Sequence, residues 1–219
     1  MVVQLGADIA IIDYGMGNLL SVSKAFEHVA PAAAIVVTSD PAVIAAAARV
    51  VFPGVGAMPD CMRELEQRGL TGVVKQAAAS KPFLGICLGM QALFGHSEEG
   101  DCAGLGLLPG KVRLFPAEAM KDADGQKLKV PHIGWNRVRQ VAPHPLWAGI
   151  EDAARFYFVH SYYADPAAPD VVAGLSDYPF NFTCAVARAN LFAVQFHPEK
   201  SQAAGLRLLA NFVTWDGTS

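Results

Sequence analysis

The chain has 219 residues, 53% of them hydrophobic and 17% charged, with a formal net charge of −3. That is enough apolar material to bury a sizeable core with a cleft beside it. The near balance of charge, with no long run of one sign, argues against a nucleic-acid footprint, which would need a basic patch or stripe.

From the amino terminus, residues 1–10 lack a basic segment and Asp8 interrupts their apolar run, so no secretory leader is expected. An apolar run over 8–13 reads as a first strand and leads into Tyr14-Gly15-Met16-Gly17-Asn18, with a helix over 19–29. The glycine pair of that loop imitates a dinucleotide fingerprint, but its third glycine would fall on Leu20, so no such cofactor is expected. Residues 34–38 and 49–52 read as buried strands around an Ala-rich short helix at 41–48. The longest apolar stretch, 42–56, contains Arg49 and Pro53 and is too short to span a bilayer. Phe52-Pro53-Gly54-Val55-Gly56 closes the third strand with two glycines around one residue, which allows a peptide N–H to be presented to a neighbouring site.

Residues 58–80 read as mostly helical, broken by Gly69 and Gly72, before a strand at 82–86 and a helical stretch at 88–95. Between these two lies Gly85-Ile86-Cys87-Leu88-Gly89. Glycines two residues either side of a nucleophile permit a sharp strand-to-helix turn, set the thiol at a helix N-terminus and leave the Leu88 N–H placed to stabilise an oxyanion. The chain's four cysteines, at 61, 87, 102 and 184, form no CxxC pair, so neither a zinc site nor a thioredoxin-like motif is indicated. They fit a reducing, cytoplasmic setting, and packing is the default role for the other three.

The second half is β-rich. Strands are expected at 112–115, 136–141, 156–159, 171–175, 182–187 and 191–196, and a final helix over 202–214 with Ser201 as its N-cap. The repeated strand–helix order of the first half implies a parallel sheet with helices on both faces. The whole, 1–219, reads as a single α/β domain: a mostly parallel open sheet flanked by helices, with a β-rich second half.

A cysteine nucleophile needs a base. Of six histidines, His197 stands out, ending the last strand within Gln195-Phe196-His197-Pro198-Glu199. Pro198 restricts His197 to β-like angles, and residues two apart in extended chain share a side, so Glu199 can orient the His197 ring.

With these segments in hand, the chain resembles the class I, triad-type glutamine amidotransferases over nearly its whole length. Val130-Pro131-His132-Ile133-Gly134-Trp135-Asn136, Tyr157-Phe158-Val159-His160-Ser161-Tyr162 and the continuation Lys200-Ser201 narrow the likeness to the members that supply ammonia to imidazole glycerol phosphate synthesis. The resemblance implies that Cys87 attacks the side-chain amide of L-glutamine, His197 moves protons and Glu199 orients it. It implies an oxyanion site of Gly54, Val55 and Leu88, with a Val55 peptide that turns before it donates. Gly56, Gln91, Glu99, Ser161 and Tyr162 would hold the glutamine backbone groups. Asn18, Trp135, Tyr157 and Lys200 would face a partner, a cyclase (β/α)8-barrel subunit (HisF) paired with this chain as a heterodimer. It implies no metal, no other cofactor and no membrane association. Two other glutaminase-fold readings are a relative feeding a different synthase, such as one that amidinates sugars, and a non-catalytic subunit. A third is a cysteine hydrolase or protease with an elbow cysteine on a related sheet.

Overall fold

The structure of the protein, a computed structural model, describes residues 7–121 and 125–218. Residues 1–6, on which part of the leader reading rests, lie outside the described residues. The first half runs β1 (Ile9–Ile12), α1 (Leu19–Val29), β2 (Ile35–Thr38), α2 (Pro41–Ala46), β3 (Arg49–Gly54), α3 (Met58–Gln67), α4 (Thr71–Ser80), β4 (Phe83–Cys87) and α5 (Leu88–Gln91). Asp40 caps α2 by accepting from the Ala42 N–H at 2.8 Å, with Pro41 in the first turn. The Lys81 ammonium closes the other end on the carbonyls of Ala45 and Ala47, at 2.7 and 2.8 Å. Gly69, at φ +66°, separates α3 from α4, whereas Gly72 lies inside α4 and breaks nothing.

The second half adds β5 (Phe94–Ser97), β6 (Cys102–Ala103), β7 (Leu108–Leu114), β8 (His132–Gln140), β9 (Ala154–His160), β10 (Tyr162–Pro166), β11 (Val172–Asp177), β12 (Asn181–Arg188), β13 (Leu191–Val194) and α6 (Gln202–Thr214). The main path of the sheet is β2-β1-β3-β4-β13-β12-β10-β7-β5-β6. Pairing is parallel from β2 to β13 and antiparallel from β13 through β12 and β10 to β7. From β12 a second path leads through β11 and β8 to β9, again antiparallel. The last strand in sequence, β13, inserts beside β4 and so brings the chain's end against its middle.

Alternate residues of the central strands feed two cores, one on each face. Ala10, Ile12, Val50 and Phe52 pack with α2, α3, α4 and α5, while Ile9, Ile11, Val51 and Leu84 pack with α1 and α6. Among the described residues no helix is long and apolar enough to cross a membrane.

Several local expectations are corrected. The helix expected over 88–95 stops at Gln91, and Phe94–Ser97 pairs with β7 instead. The strand expected at 191–196 ends at Val194, those at 112–115 and 136–141 begin earlier, at Leu108 and His132, and β6 and β10 form where no strand is expected. Ser201 precedes α6 but does not cap it with its side chain. Its hydroxyl donates to the His197 carbonyl at 2.6 Å and accepts from the Tyr157 N–H at 3.0 Å.

Candidate active site

β3 and β4 end side by side, with Gly54 in register with Cys87 at the carboxyl edge of the parallel strands. Open α/β sheets place their ligands at this edge. The turn from β4 into α5 is made by Cys87 itself, at φ +55° and ψ −112°, a conformation costly for any residue with a side chain. Neither Gly85 nor Gly89 has positive φ; these glycines supply space. A Cβ on Gly89 would run into the Phe52 carbonyl oxygen, and one on Gly85 would sit 3.0 Å from the Ala193 Cβ. The elbow therefore depends on α5 lying directly on the backbone of β3.

A Gly89→Ala replacement is accordingly expected to cost about 3 kcal/mol or more, the upper end of overpacking penalties, because the obstacle is main chain. Gly72, inside α4 with no atom within 4 Å of its would-be Cβ, is the control. Gly72→Ala is expected to be neutral or to stabilise by up to about 1 kcal/mol. Urea unfolding of both variants checks the contrast; equal midpoints would refute the packing account.

His197 lies just beyond β13 in extended backbone, φ −103° and ψ 96°, as Pro198 dictates. Glu199 does not continue that extension but sits in a 3-10 turn, Pro198–Lys200, which curls its carboxylate back to the ring. His197 Nδ1 and Glu199 Oε1 are 2.8 Å apart, both side chains almost wholly buried, at 2% and 1% exposed. Burial alone would push the imidazole pKa down, but the Cys87 sulfur and then the Glu199 carboxylate outweigh it and hold His197 well above the ordinary histidine range. Among the described residues Glu199 Oε2 has no hydrogen-bond partner, and the other ring nitrogen, Nε2, has none but the Cys87 thiol.

Cys87 and His197 both line a cavity of about 240 Å³, with Val55, Gly56, Leu88, Gln91, Glu99, Ser161 and Tyr162 among the other walls. That is below the roughly 300 Å³ at which drug-sized sites begin, and suits a molecule the size of a single amino acid. One Glu99 oxygen accepts from the Met58 N–H at 2.8 Å, at the start of α3. Gln91 spends its amide N–H groups on the Tyr162 carbonyl, at 3.0 Å, and the Gln195 side-chain oxygen, at 2.9 Å. Gly54 is not a wall of the cavity; a Cβ there would meet the Tyr14 hydroxyl, Leu88 and the Gly89 nitrogen.

Of the residues assigned to a partner face, three come together. The Trp135 and Tyr157 rings meet edge to face at 6.1 Å, and the Lys200 ammonium stands 5.8 Å from the Tyr157 ring centre. Asn18 lies at the start of α1, without a side-chain cap bond.

Residues not singled out from sequence also reach the site. Gln195 donates from Nε2 to Cys87 Sγ at 3.7 Å, and His160 joins the cavity wall. Both stand inside motifs already noticed, and the signal available was their period-two spacing from His197 and from Tyr162. His132 and His160, buried in an aromatic layer, are pushed down to about 4 and about 3 by burial, and burial brings His144 to about 4. On unfolding each regains an ordinary value near 6.5, so the unfolded chain binds more protons between these limits. Their contribution is complete above about pH 6.5 and lost as pH falls through about 4 and, for His160, through about 3. Melting temperatures are expected to fall steadily across that window; a flat profile would show the rings are not held neutral.

The chain matches the family model described as glutamine amidotransferase class-I over residues 10–215. It is 69% identical over 212 residues to the imidazole glycerol phosphate synthase subunit HisH of Thiobacillus denitrificans, covering 97% of this chain and 93% of that one. It is likewise 69% identical to the subunit of the same name from Aromatoleum aromaticum, over 95% of this chain and 99% of the relative. Among solved structures, one described as glutamine amidotransferase superposes with a TM-score of 0.69 at 14% identity, covering 95% of this chain and all (100%) of that one. PurLQS from Thermotoga maritima gives 0.66 at 17%, covering 93% and 96%. At such identities these structures speak for the fold alone.

Proposed function

The chain belongs to the class I glutamine amidotransferase family, and from that premise we propose that it is the glutaminase subunit of imidazole glycerol phosphate synthase, serving histidine biosynthesis. The observation that carries the reading is the joint placement of the Cys87 thiol and the His197–Glu199 pair at one amino-acid-sized cavity.

The reaction follows from that placement. The Cys87 proton passes to His197 Nε2, and the sulfur attacks the side-chain carbonyl carbon of L-glutamine. The oxyanion is held by the N–H groups of Leu88 and, once its peptide has turned, Val55, with Gly54 fixing the strand end beneath them. His197 hands the proton to the departing nitrogen, the C–N bond breaks, and ammonia leaves a thioester on Cys87. Water then adds with His197 as base, and glutamate departs as the thiol is restored. Glu199 keeps the ring in one tautomer and balances its charge. Glu99 and the Gln91 side-chain oxygen face the substrate ammonium, while Gly56, Ser161 and Tyr162 hold the carboxylate.

Ammonia released into water becomes ammonium and is no longer a nucleophile, so the site needs a receiver. The reading supplies a cyclase (β/α)8-barrel subunit (HisF) docked on Trp135, Tyr157, Lys200 and Asn18, forming a cytoplasmic heterodimer. Ammonia would cross a dry passage to the barrel, whose lyase chemistry yields imidazole glycerol phosphate and AICAR. The high identity to subunits named for that synthase supports this acceptor over a sugar-amidinating one. Residues 1–219 act as one domain in this reading.

The test is to mix the chain with a purified cyclase barrel and follow glutamate release with and without the nucleotide substrate. Lack of one oxyanion donor costs roughly 10²–10³-fold in kcat, so the chain alone is expected to lie about that far below the nucleotide-bound complex. Full turnover by the lone chain would refute the switching role of Val55, and no turnover in any mixture would refute the glutaminase reading.

A further inference from the structure

Behind the cavity, three side chains and the carbonyl on which they end form a line of hydrogen bonds whose direction is fixed. Asn136 Nδ2 faces the Asp177 carbonyl at 2.7 Å and His132 Nε2 at 3.3 Å, spending both hydrogens. His132 Nε2 is then an acceptor, so its proton is on Nδ1, which stands 3.0 Å from His160 Nε2. That nitrogen accepts in turn, leaving the His160 proton on Nδ1, 2.8 Å from the Tyr162 carbonyl. One set of tautomers satisfies every member. The same carbonyl also receives the Gln91 amide, whose other hydrogen goes to Gln195, and Gln195 donates to the Cys87 sulfur.

The rings cannot turn out of this line. His132 and His160 are cross-strand partners on β8 and β9. His132 stacks on Tyr178 at 4.0 Å and on Phe158 at 5.0 Å, and His160 lies against Phe115 and Phe182 at 5.3 and 5.2 Å. In an otherwise aromatic layer, phenylalanine at both positions would pack as well without burying four ring nitrogens.

We propose that His160, held in its tautomer by His132, is a positioning residue for the thiol: it fixes the Tyr162 carbonyl as the anchor from which Gln91 and Gln195 are aimed at Cys87. The inference deepens the glutaminase reading and rests on Cys87 being its nucleophile. Without the His160 donor, the carbonyl keeps Gln91 alone, and the two glutamine side chains lose the fixed end of their chain.

Three replacements in the full complex separate this from packing. His160→Phe keeps the ring and removes both bonds, His160→Asn keeps a donor near the Nδ1 position, and His160→Gln keeps a polar group near Nε2 only. Glutamine hydrolysis by the Phe and Gln variants is expected to lose about 10-fold or more in kcat, with KM within about 3-fold, while Asn recovers to within about 3-fold of the parent. The rate of Cys87 alkylation by iodoacetamide in the free chain, corrected with Cys87→Ala for the other thiols, is expected to depart from the parent in the same order. Synthesis from added ammonium salt stays unchanged. Should His160→Phe fail to fold, the Asn–Gln contrast alone decides. Phe within about 2-fold of the parent in both assays, or Asn falling as far as Gln, would overturn the proposal. A parent complex that releases no glutamate would sink the glutaminase reading instead, and the alkylation order would still decide the role of His160.

Discussion

Replacing Cys87 by alanine in the complex with its acceptor subunit is expected to lower glutamine-dependent synthesis by about 10⁴-fold or more, the scale on which removing a triad nucleophile acts. Synthesis from added ammonium salt is expected to persist, because the acceptor chemistry lies in the other chain. Measuring both rates on one preparation is the check; loss of both would mean the active site has been misplaced. The same position offers a second readout. Cys87 occupies φ +55° and ψ −112°, and such strain costs on the order of 1–3 kcal/mol for any residue with a Cβ. Alanine inherits that cost, whereas Cys87→Gly does not. The glycine variant, equally inactive, is expected to melt higher than the alanine variant, so strain and nucleophilicity reside in one residue and can be measured apart.

Glu199→Gln is expected to lower kcat for glutamine hydrolysis by about 10²–10⁴-fold with little change in KM, by the logic of an orienting carboxylate turned amide. Its Oε1 is 2.8 Å from His197 Nδ1, and the carboxylate is one of the groups holding His197 above its ordinary range. Gln keeps the shape but removes the charge, so His197 loses its proton at lower pH. The acid limb set by His197 in the kcat profile is expected to move to lower pH in the variant. A normal kcat with an unmoved limb would show that Glu199 only fills space.

The catalytic triplet was legible in the sequence because each member sits in a short segment with a local physical reason: glycines around Cys87, and a proline fixing the backbone at His197. The parallel half of the sheet was legible for a related reason, since β1, β3 and β4 are buried on both faces and read as unbroken apolar runs. Where the reading failed, two structures fitted one pattern. Leu88 to Gly95 has helical composition throughout, yet Phe94 and the residues after it are drawn into an edge pairing with β7, a contact invisible locally. Ser201 has the residue type of a cap and is used instead to tie two distant backbones. The His132–His160 line was hidden for the same reason: it exists only through the register of β8 on β9 and contacts that join residues as far apart as 87 and 195.

Three bonds stitch one short stretch of β9 to the turn that carries the catalytic base. The His197 N–H donates to the Tyr157 carbonyl at 2.9 Å, and Ser201 links the Tyr157 N–H to the His197 carbonyl. The peptide units on either side of Tyr157 are thus clamped to both ends of residue 197, with no loop between them to absorb a shift. The Tyr157 ring meanwhile stands outside with Trp135 and Lys200. Mechanically, the ring and the imidazole belong to one clamped unit, so a load applied to the Tyr157 ring bears directly on the backbone of the base.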